Sequence, residues 1–412
     1  MTERSEVRSL TETSQTFDVI VVGARVAGAA TAMLLARSGL RVLLLDRNRY
    51  GTDTLSTHAL MRGGVYLLSR WGLLDRIVDA GTPPIRQTRF DYGTDSLTVT
   101  IKPALGVRAL YAPRRTVLDP ILVDAAAAAG AEVRFGVSVA GLQRDDTGRV
   151  VGIHGRDRSG SAVAARAPLT VGADGIRSTV ARETGAATVR VGTGASAIIY
   201  GYWSDLPAHG YEWFYRPGHS AGIIPTNGGE VCVFAGTAAA HLTTGLRADL
   251  SATYHRLLAA ATDGAGDRLA QARPPRRLHT WVGRPSYIRQ AHGPGWILIG
   301  DAGFFLDPLS THGITDGLRD AEMLTRAVVG TDLTGELAAA LSWFAERRDR
   351  VVEPLFQAVD QIAGYGWDLA RLRRHLIELS SAMTAEAELI ATGSGLGMEP
   401  PARHRRRRTP AC

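Results

Sequence analysis

The feature that most restricts the fold lies near the N-terminus. Residues 18–22 form an apolar run, Gly23-Ala24-Arg25-Val26-Ala27-Gly28 follows at once, an alanine-rich segment covers residues 29–37, and Gly39 stops it. A second apolar run at residues 41–45 ends on Asp46. Apolar runs this short read as buried strands, and the alanine-rich segment between them reads as a helix. Strand, helix and parallel strand within about 30 residues make a crossover unit, which belongs to layered α/β folds.

The turn has the spacing of a dinucleotide fingerprint at its first and third glycines, Gly23 and Gly28, with Arg25 at the second. The first glycine permits the tight turn and the third lets helix and strand pack closely, while the helix N-terminus offers unpaired amides to a diphosphate. A side chain at the middle position crowds that diphosphate, although a guanidinium can also contact it. Asp46 stands 23 residues after Gly23, where an acid suits the 2′ and 3′ hydroxyls of a ribose. An acid at a strand end is equally compatible with a plain solvated residue, and a glycine turn with an unrelated crossover.

Two further segments share this style. Gly172-Ala173-Asp174-Gly175-Ile176-Arg177-Ser178 follows a short apolar strand at residues 169–172. Gly300-Asp301-Ala302 follows another at 296–299, and His312-Gly313-Ile314-Thr315-Asp316 then opens an apparent helix. A carboxylate at a strand end can accept hydrogen bonds from sugar-alcohol hydroxyls, and a helix beginning near Gly313 presents a positive dipole end. Each segment alone is a common turn.

Taken together and in this order, the three segments resemble the flavin-dependent monooxygenases of the para-hydroxybenzoate hydroxylase fold, a superfamily that includes geranylgeranyl reductase and flavin halogenase branches. The likeness spans roughly residues 17 to 350. It implies an α/β fold: a Rossmann-like FAD-binding domain, an inserted, mostly antiparallel β-sheet substrate domain and a helical C-terminal region. It implies FAD contacts from Gly23, Arg25, Ala27, Gly28, Asp46, Arg47, Arg115, Asp174, Asp301, Gly313, Ile314 and Thr315. Within that set Arg115 would meet the flavin from a helix start, Asp301 would hold the ribityl or pyrophosphate region, and Asp174 would support the site from behind. The segment Asp53-Thr54-Leu55-Ser56-Thr57-His58 resembles a flavin-adjacent stretch of a bacterial branch that also carries arginine where Arg25 stands. The late segment departs from the aromatic-hydroxylase pattern, with Ala302-Gly303-Phe304 and Leu309-Ser310-Thr311-His312-Gly313 replacing Ala-Ala-His and Pro-x-Gly-x-Gly.

The expected organisation assigns residues 17–84, 104–187 and 291–350 to the FAD-binding domain. Residues 85–103 and 188–290 form the substrate domain, 351–400 the C-terminal helices, and 1–16 and 401–412 are disordered tails. Length and composition suit this, since 412 residues with 45% hydrophobic and 21% charged side chains can bury a large core. The formal charge of +7 is concentrated in Arg403, Arg405, Arg406, Arg407 and Arg408, which disfavours nucleic acid as a partner. Cys232 and Cys412 are the only cysteines and form no metal or redox spacing, so no metal is expected. The first sixteen residues lack a signal-like apolar stretch and no run approaches a membrane span, which gives a cytoplasmic reading.

Only one convincing dinucleotide fingerprint is present, because Gly192-Thr193-Gly194 leads into strand-like sequence and is assigned to a turn. NADH or NADPH would therefore visit transiently as reductant, or a separate flavin reductase would serve. The resemblance implies a hydroxylase-type monooxygenase, in which O2 and reduced flavin form a C4a-hydroperoxide that oxygenates a small aromatic or secondary-metabolite substrate. Alternatives are a double-bond reductase of the geranylgeranyl reductase type, then a halogenase, then a non-catalytic carrier of the same fold. The halogenase reading needs a lysine beside the flavin, and the single lysine, Lys102, reads as a solvated strand edge. Tyr200, Tyr202, Trp213, Phe214 and Tyr215 are candidates for the substrate wall, half of them on the pocket side if the strands alternate, with Tyr202, Trp213 and Tyr215 chosen. His58 and His312 are the candidate acid–base residues, because imidazole titrates near neutral pH.

Overall fold

A computed structural model describes residues 15–242, 249–262 and 266–392. The crossover unit forms as expected, with a strand Val19–Val22, a helix Val26–Arg37 and a strand Val42–Asp46 paired in parallel. The strands Glu132–Phe135, Val42–Asp46, Val19–Val22, Leu169–Gly172 and Trp296–Leu298 lie side by side in that order, all parallel, and the short antiparallel strand His292–Gly293 closes the edge. Numbered along the chain, the parallel strands run 3-2-1-4-5, so the turns leaving them cluster at one carboxyl edge, where ligands of such sheets bind.

Both faces of this sheet are buried, which explains why its strands are apolar without alternation. Val19, Val21, Val42 and Leu44 pack under the helices, whereas Ile20, Val22, Leu43 and Leu45 pack against Val150, Ile153 and Ala165 of a second, four-stranded sheet. That second sheet contains the hairpin of Ser138–Arg144 and Val150–Arg156, then Ala162–Arg166, and finally Gln15–Thr16, which pairs in parallel with Ala165 and Arg166. Gln15 and Thr16 are thus a strand and not part of a disordered tail; residues 1–14 and 401–412 lie outside the described residues.

A seven-stranded sheet takes Gln87–Asp91 and Ser96–Thr100 from one part of the chain and five strands between Ser196 and Trp281 from another. Every pairing is antiparallel except that of Tyr211–Arg216 with Gln87–Asp91. Side chains alternate across it. Tyr200, Tyr202, Trp213 and Tyr215 face the core shared with the first sheet's helices, while Ile199, Trp203 and Phe214 pack on the helix Leu250–Ala261. Phe214 is therefore on the far face. Lys102 lies just beyond the end of Ser96–Thr100 and is exposed.

The C-terminal region is helical, with one revision. Leu337–Ala363 runs unbroken through Pro354, so the division at residue 350 falls inside a single helix. The proline costs one backbone bond, and burial of Leu355, Phe356 and Val359 on the next turns outweighs it. No described helix is long and apolar enough to cross a membrane.

Candidate functional site

The fingerprint turn is built against the carboxyl edge. A Cβ on Gly23, which has φ +104°, would lie 2.4 Å from the Ala173 carbonyl oxygen, and one on Gly28 would lie 1.8 Å from the Gly23 carbonyl oxygen. Only glycine fits either position. Ala27 faces Gly300 and Gly317, whose added Cβ atoms would come within 3.1 and 3.2 Å of its own Cβ. The Gly172-Ala173-Asp174 turn, the Gly300-Asp301 turn and the helix Gly313–Val328 are thus gathered around Gly23 to Gly28, although these segments are up to 290 residues apart in sequence.

Asp46 is buried and braces the turn. One of its carboxylate oxygens accepts the Ala24 amide at 2.8 Å, and the other accepts Asn48 N at 2.7 Å and Nδ2 at 3.0 Å. A carboxylate has about four acceptor sites, so one remains for a ribose hydroxyl. The narrow cleft beside it is lined by Arg25, Asp46, Asn48, Arg49, Tyr50 and Phe135, among others. Arg47 is exposed and outside that lining, which includes its neighbours Asn48 and Arg49. Asp174 accepts the Ser178 hydroxyl at 2.5 Å and the Thr179 amide at 2.6 Å, holding the turn from behind.

Arg115 opens the helix Arg115–Ala128 and forms a bidentate pair with Asp119, at 2.8 and 3.0 Å. Asp119 also receives Arg25 at 3.0 Å. Asp301 accepts no hydrogen bond on its carboxylate from any described side chain. Burial, and then the charge of Asp316, pushes that carboxyl up to about 7 against the pull of Arg115. The helix Gly313–Val328 presents its N-terminus to free space: a Cβ on Gly313 would meet nothing within 4 Å, and the first intrahelical bond is Asp316 N to His312 O. The amides of Gly313, Ile314 and Thr315 precede it, and the buried Thr315 hydroxyl has no partner among the described residues. A turn with no room for a Cβ, a carboxylate without donors and a free helix N-terminus together fit an anionic dinucleotide with a sugar-alcohol chain.

The two histidines differ. His58 is 1% exposed and holds the left-handed φ of +69°, a strained conformation for this residue. Its Nε2 lies 2.5 Å from the Tyr202 hydroxyl, and its buried Nδ1 has no partner among the described residues. Burial, followed by the cations of Arg114 and Arg115 and by His279, holds the imidazole well below its usual value, so it is neutral. The Arg114 guanidinium lies 3.5 Å over the Tyr202 ring and pairs with Asp53 and Glu230.

His312 instead belongs to the interior. Its Nε2 meets Glu386 at 2.5 Å, Arg319 bridges Asp316 at 2.5 Å and Glu386 at 2.6 Å, and Asp320 joins Arg319 at 2.8 Å to the Gly300 amide at 2.9 Å. Burial alone would lower the His312 value, but Glu386 and Asp316 raise it. His312, Asp316 and Glu386 have ligand atoms close enough for a metal, yet the Arg319 guanidinium already supplies the cation among them. Geometry assigns this cluster to bracing the helix start and not to acid–base exchange. Trp213 and Tyr215 are also interior, packed on Tyr211 and Phe234 and on Tyr92 and Trp367.

Several contributors had no sequence signal: Asn48, Asp119, Arg114, His279 and Glu386 enter only through the fold. Arg114 adjoins Arg115 in the sequence.

A family model described as an FAD binding domain matches residues 16–357. The menaquinone reductase of Mycolicibacterium smegmatis is 30% identical over 333 residues, covering 77% of each chain. Among solved structures, the flavin-dependent brominase Bmp2 superposes with a TM-score of 0.72 at 18% identity, over 89% of this chain and 94% of that one. PqsL of Pseudomonas aeruginosa, described as a probable FAD-dependent monooxygenase, gives 0.68 at 19% identity, over 91% and 99%. At such identities the two structures speak for the fold alone.

Proposed function

The chain belongs to the FAD binding domain family, and from that premise we propose a monooxygenase of the hydroxylase type acting on a small, electron-rich aromatic substrate. The observation that carries this reading is the neutral, buried His58 joined to Tyr202 on the sheet face that looks toward the cofactor-binding helices. When bound, FAD supplies the redox chemistry, with O2 as the source of the inserted oxygen and NADH, NADPH or a separate flavin reductase as the source of electrons.

The residues divide the remaining work. Gly23 to Gly28 cradle the diphosphate, Asp46 and Asp301 hold the ribose and ribityl hydroxyls, and the amides of Gly313 to Thr315 stabilise negative charge at the flavin pyrimidine. The neutral His58 Nε2 accepts the Tyr202 hydroxyl, whose oxygen can in turn accept a substrate hydroxyl, so the pair orients and polarises the substrate, while burial and the Arg114 and Arg115 cations oppose an imidazolium. Tyr202 is half-buried and His58 buried, so Tyr202 is the more accessible residue of the pair.

A second reading, double-bond reduction, is favoured by the menaquinone reductase relative. Both use the same cofactor site, and O2 separates them. Oxidation of NADH and NADPH is to be followed with and without O2 against a panel of phenols, polyketides and prenyl compounds. The hydroxylase reading expects O2 consumed mole for mole with the nicotinamide and a product heavier by one oxygen. Substrate-coupled oxidation that persists without O2 replaces it with the reductase reading.

A further inference from the structure

Arg25 stands at the middle position of the dinucleotide turn, and its guanidinium is engaged on the protein side. Nη1 donates to the Thr52 carbonyl at 2.8 Å and to Asp119 at 3.0 Å; Nη2 donates to the Asp53 carbonyl at 3.2 Å, with the Thr52 hydroxyl at 3.5 Å. Asp119 is itself fixed by the bidentate grip of Arg115, so Arg25 is anchored to the rigid helix Arg115–Ala128. We propose that Arg25 is a positioning residue that fixes the segment from Thr52 to His58, and not a ligand of the FAD diphosphate.

The segment needs such a tether. Gly51, Thr52, Asp53 and Leu55 are exposed, so apolar packing does little to hold them, yet the chain must deliver His58 in a left-handed conformation. Strain of that kind persists only where neighbouring contacts over-determine it. The contacts form one chain. Arg25 holds the carbonyls of Thr52 and Asp53, the Asp53 carboxylate accepts Arg114 at 3.3 Å, Arg114 covers the Tyr202 ring, and Tyr202 meets His58. The Ser56 amide adds a bond to the Tyr200 hydroxyl at 3.1 Å. A side chain in place of the middle glycine therefore ties the cofactor turn to the His58–Tyr202 pair across both sheets.

The groups facing His58 are Tyr202 and His279 from the seven-stranded sheet and Arg114 and Arg115 from the start of the helix Arg115–Ala128. With Arg25 removed, the segment relaxes, burial of His58 lessens, and its imidazole moves back toward ordinary titration.

The test uses Arg25→Gly in the full chain, which restores a glycine where the backbone has φ −85° and any residue fits. FAD affinity is measured by titrating the apoprotein, and His58 is followed by NMR of the FAD-loaded, histidine-labelled protein, its signal assigned by its loss in His58→Gln. Arg25 lines the cleft, but a partly exposed ion pair whose guanidinium donates to Thr52, Asp53 and Asp119 predicts a loss of FAD affinity below about tenfold. The His58 signal alone among the histidines is expected to shift and to titrate between about pH 5 and 8. A loss of about tenfold or more, as for a charge-assisted ligand contact, overturns the proposal, and so does an unmoved His58 signal. Arg25→Gln is read by the same two measurements should the glycine variant not fold.

Discussion

Asp301 carries two opposed requirements in one carboxyl group. In the protein without ligand it lies among Asp316 and Asp320 with only Arg115 in opposition, and its value rises to about 7. A folded-state value above the unfolded one, near 4, means that the native chain keeps a proton which the unfolded chain gives up between those pH values. Stability associated with Asp301 is therefore complete below about pH 4 and is lost as pH rises through about 7. Asp301→Ala is expected to make the apoprotein more stable than wild type at pH 8 by about 1 kcal/mol, with little gain at pH 4, in denaturant melts. The same substitution should weaken FAD binding by about tenfold or more, because ribityl hydroxyls lose a charged acceptor. A variant that is no more stable at pH 8 and that retains flavin through dialysis would remove both the electrostatic account and the contact. The backbone bond from the Tyr287 hydroxyl to the residue 301 carbonyl survives the change, so the turn itself stays in place.

At the scale of elements, the helix Gly313–Val328 is set by a buried ionic cluster whose last member comes from the helix Leu369–Thr392, beyond the span that the family model matches. Arg319 is fully buried with Asp316, Asp320 and Glu386 around it, and His312 leans on Glu386. Removing one member of such a cluster strands a buried charge, so Glu386→Ala is expected to cost about 3–5 kcal/mol. Glu386→Gln should cost less, because its amide oxygen still accepts Arg319 and its NH2 can donate to His312 once that imidazole is neutral. The His312 value is raised, so its share of this stability is present at low pH and lost as pH rises through that value. The penalty of Glu386→Gln should accordingly shrink toward alkaline pH in chemical denaturation; a penalty independent of pH would exclude a charged His312. Elements with local periodicity were legible in the sequence, including the crossover unit, the strand before Asp301 and the helix start at Gly313. The role of His312 was not, because its partner Glu386 lies 74 residues away and the contact exists only after two helices pack. For the same reason Asp119, 94 residues from Arg25, could not be foreseen as the group that binds that arginine's guanidinium at the cleft. Alternation put Phe214 opposite Trp213 and Tyr215, but four of the five sheet aromatics face inward where half were expected, and nothing local told that Trp213 and Tyr215 would be covered there by Tyr92, Phe234 and Trp367.

The molecule as a whole is less divided than its two large sheets suggest. Tyr200, Trp213, Tyr215, Cys232 and Phe234 on one sheet share a single core with Val19, Val21, Leu44 and the helices of the other. An interface made of core residues resists the independent hinge motion that a polar one would allow. Across its polar margin Arg114 joins three parts of the fold, pairing with Asp53 near the cofactor turn and with Glu230 at 2.7 Å beside the strand Val231–Ala238, and covering Tyr202. Its side chain is 18% exposed, so these contacts are only partly screened. Arg114→Ala should lower stability by about 2–3 kcal/mol, the cost of leaving a half-buried acidic partner and a bare ring face. Because the apolar core is untouched, unfolding should remain one transition, with tryptophan fluorescence and far-ultraviolet circular dichroism coincident. Two separated transitions in this variant would mean that the sheets are distinct folding units held together by Arg114, and that the neutral environment of His58 depends on a movable interface and not on a shared interior.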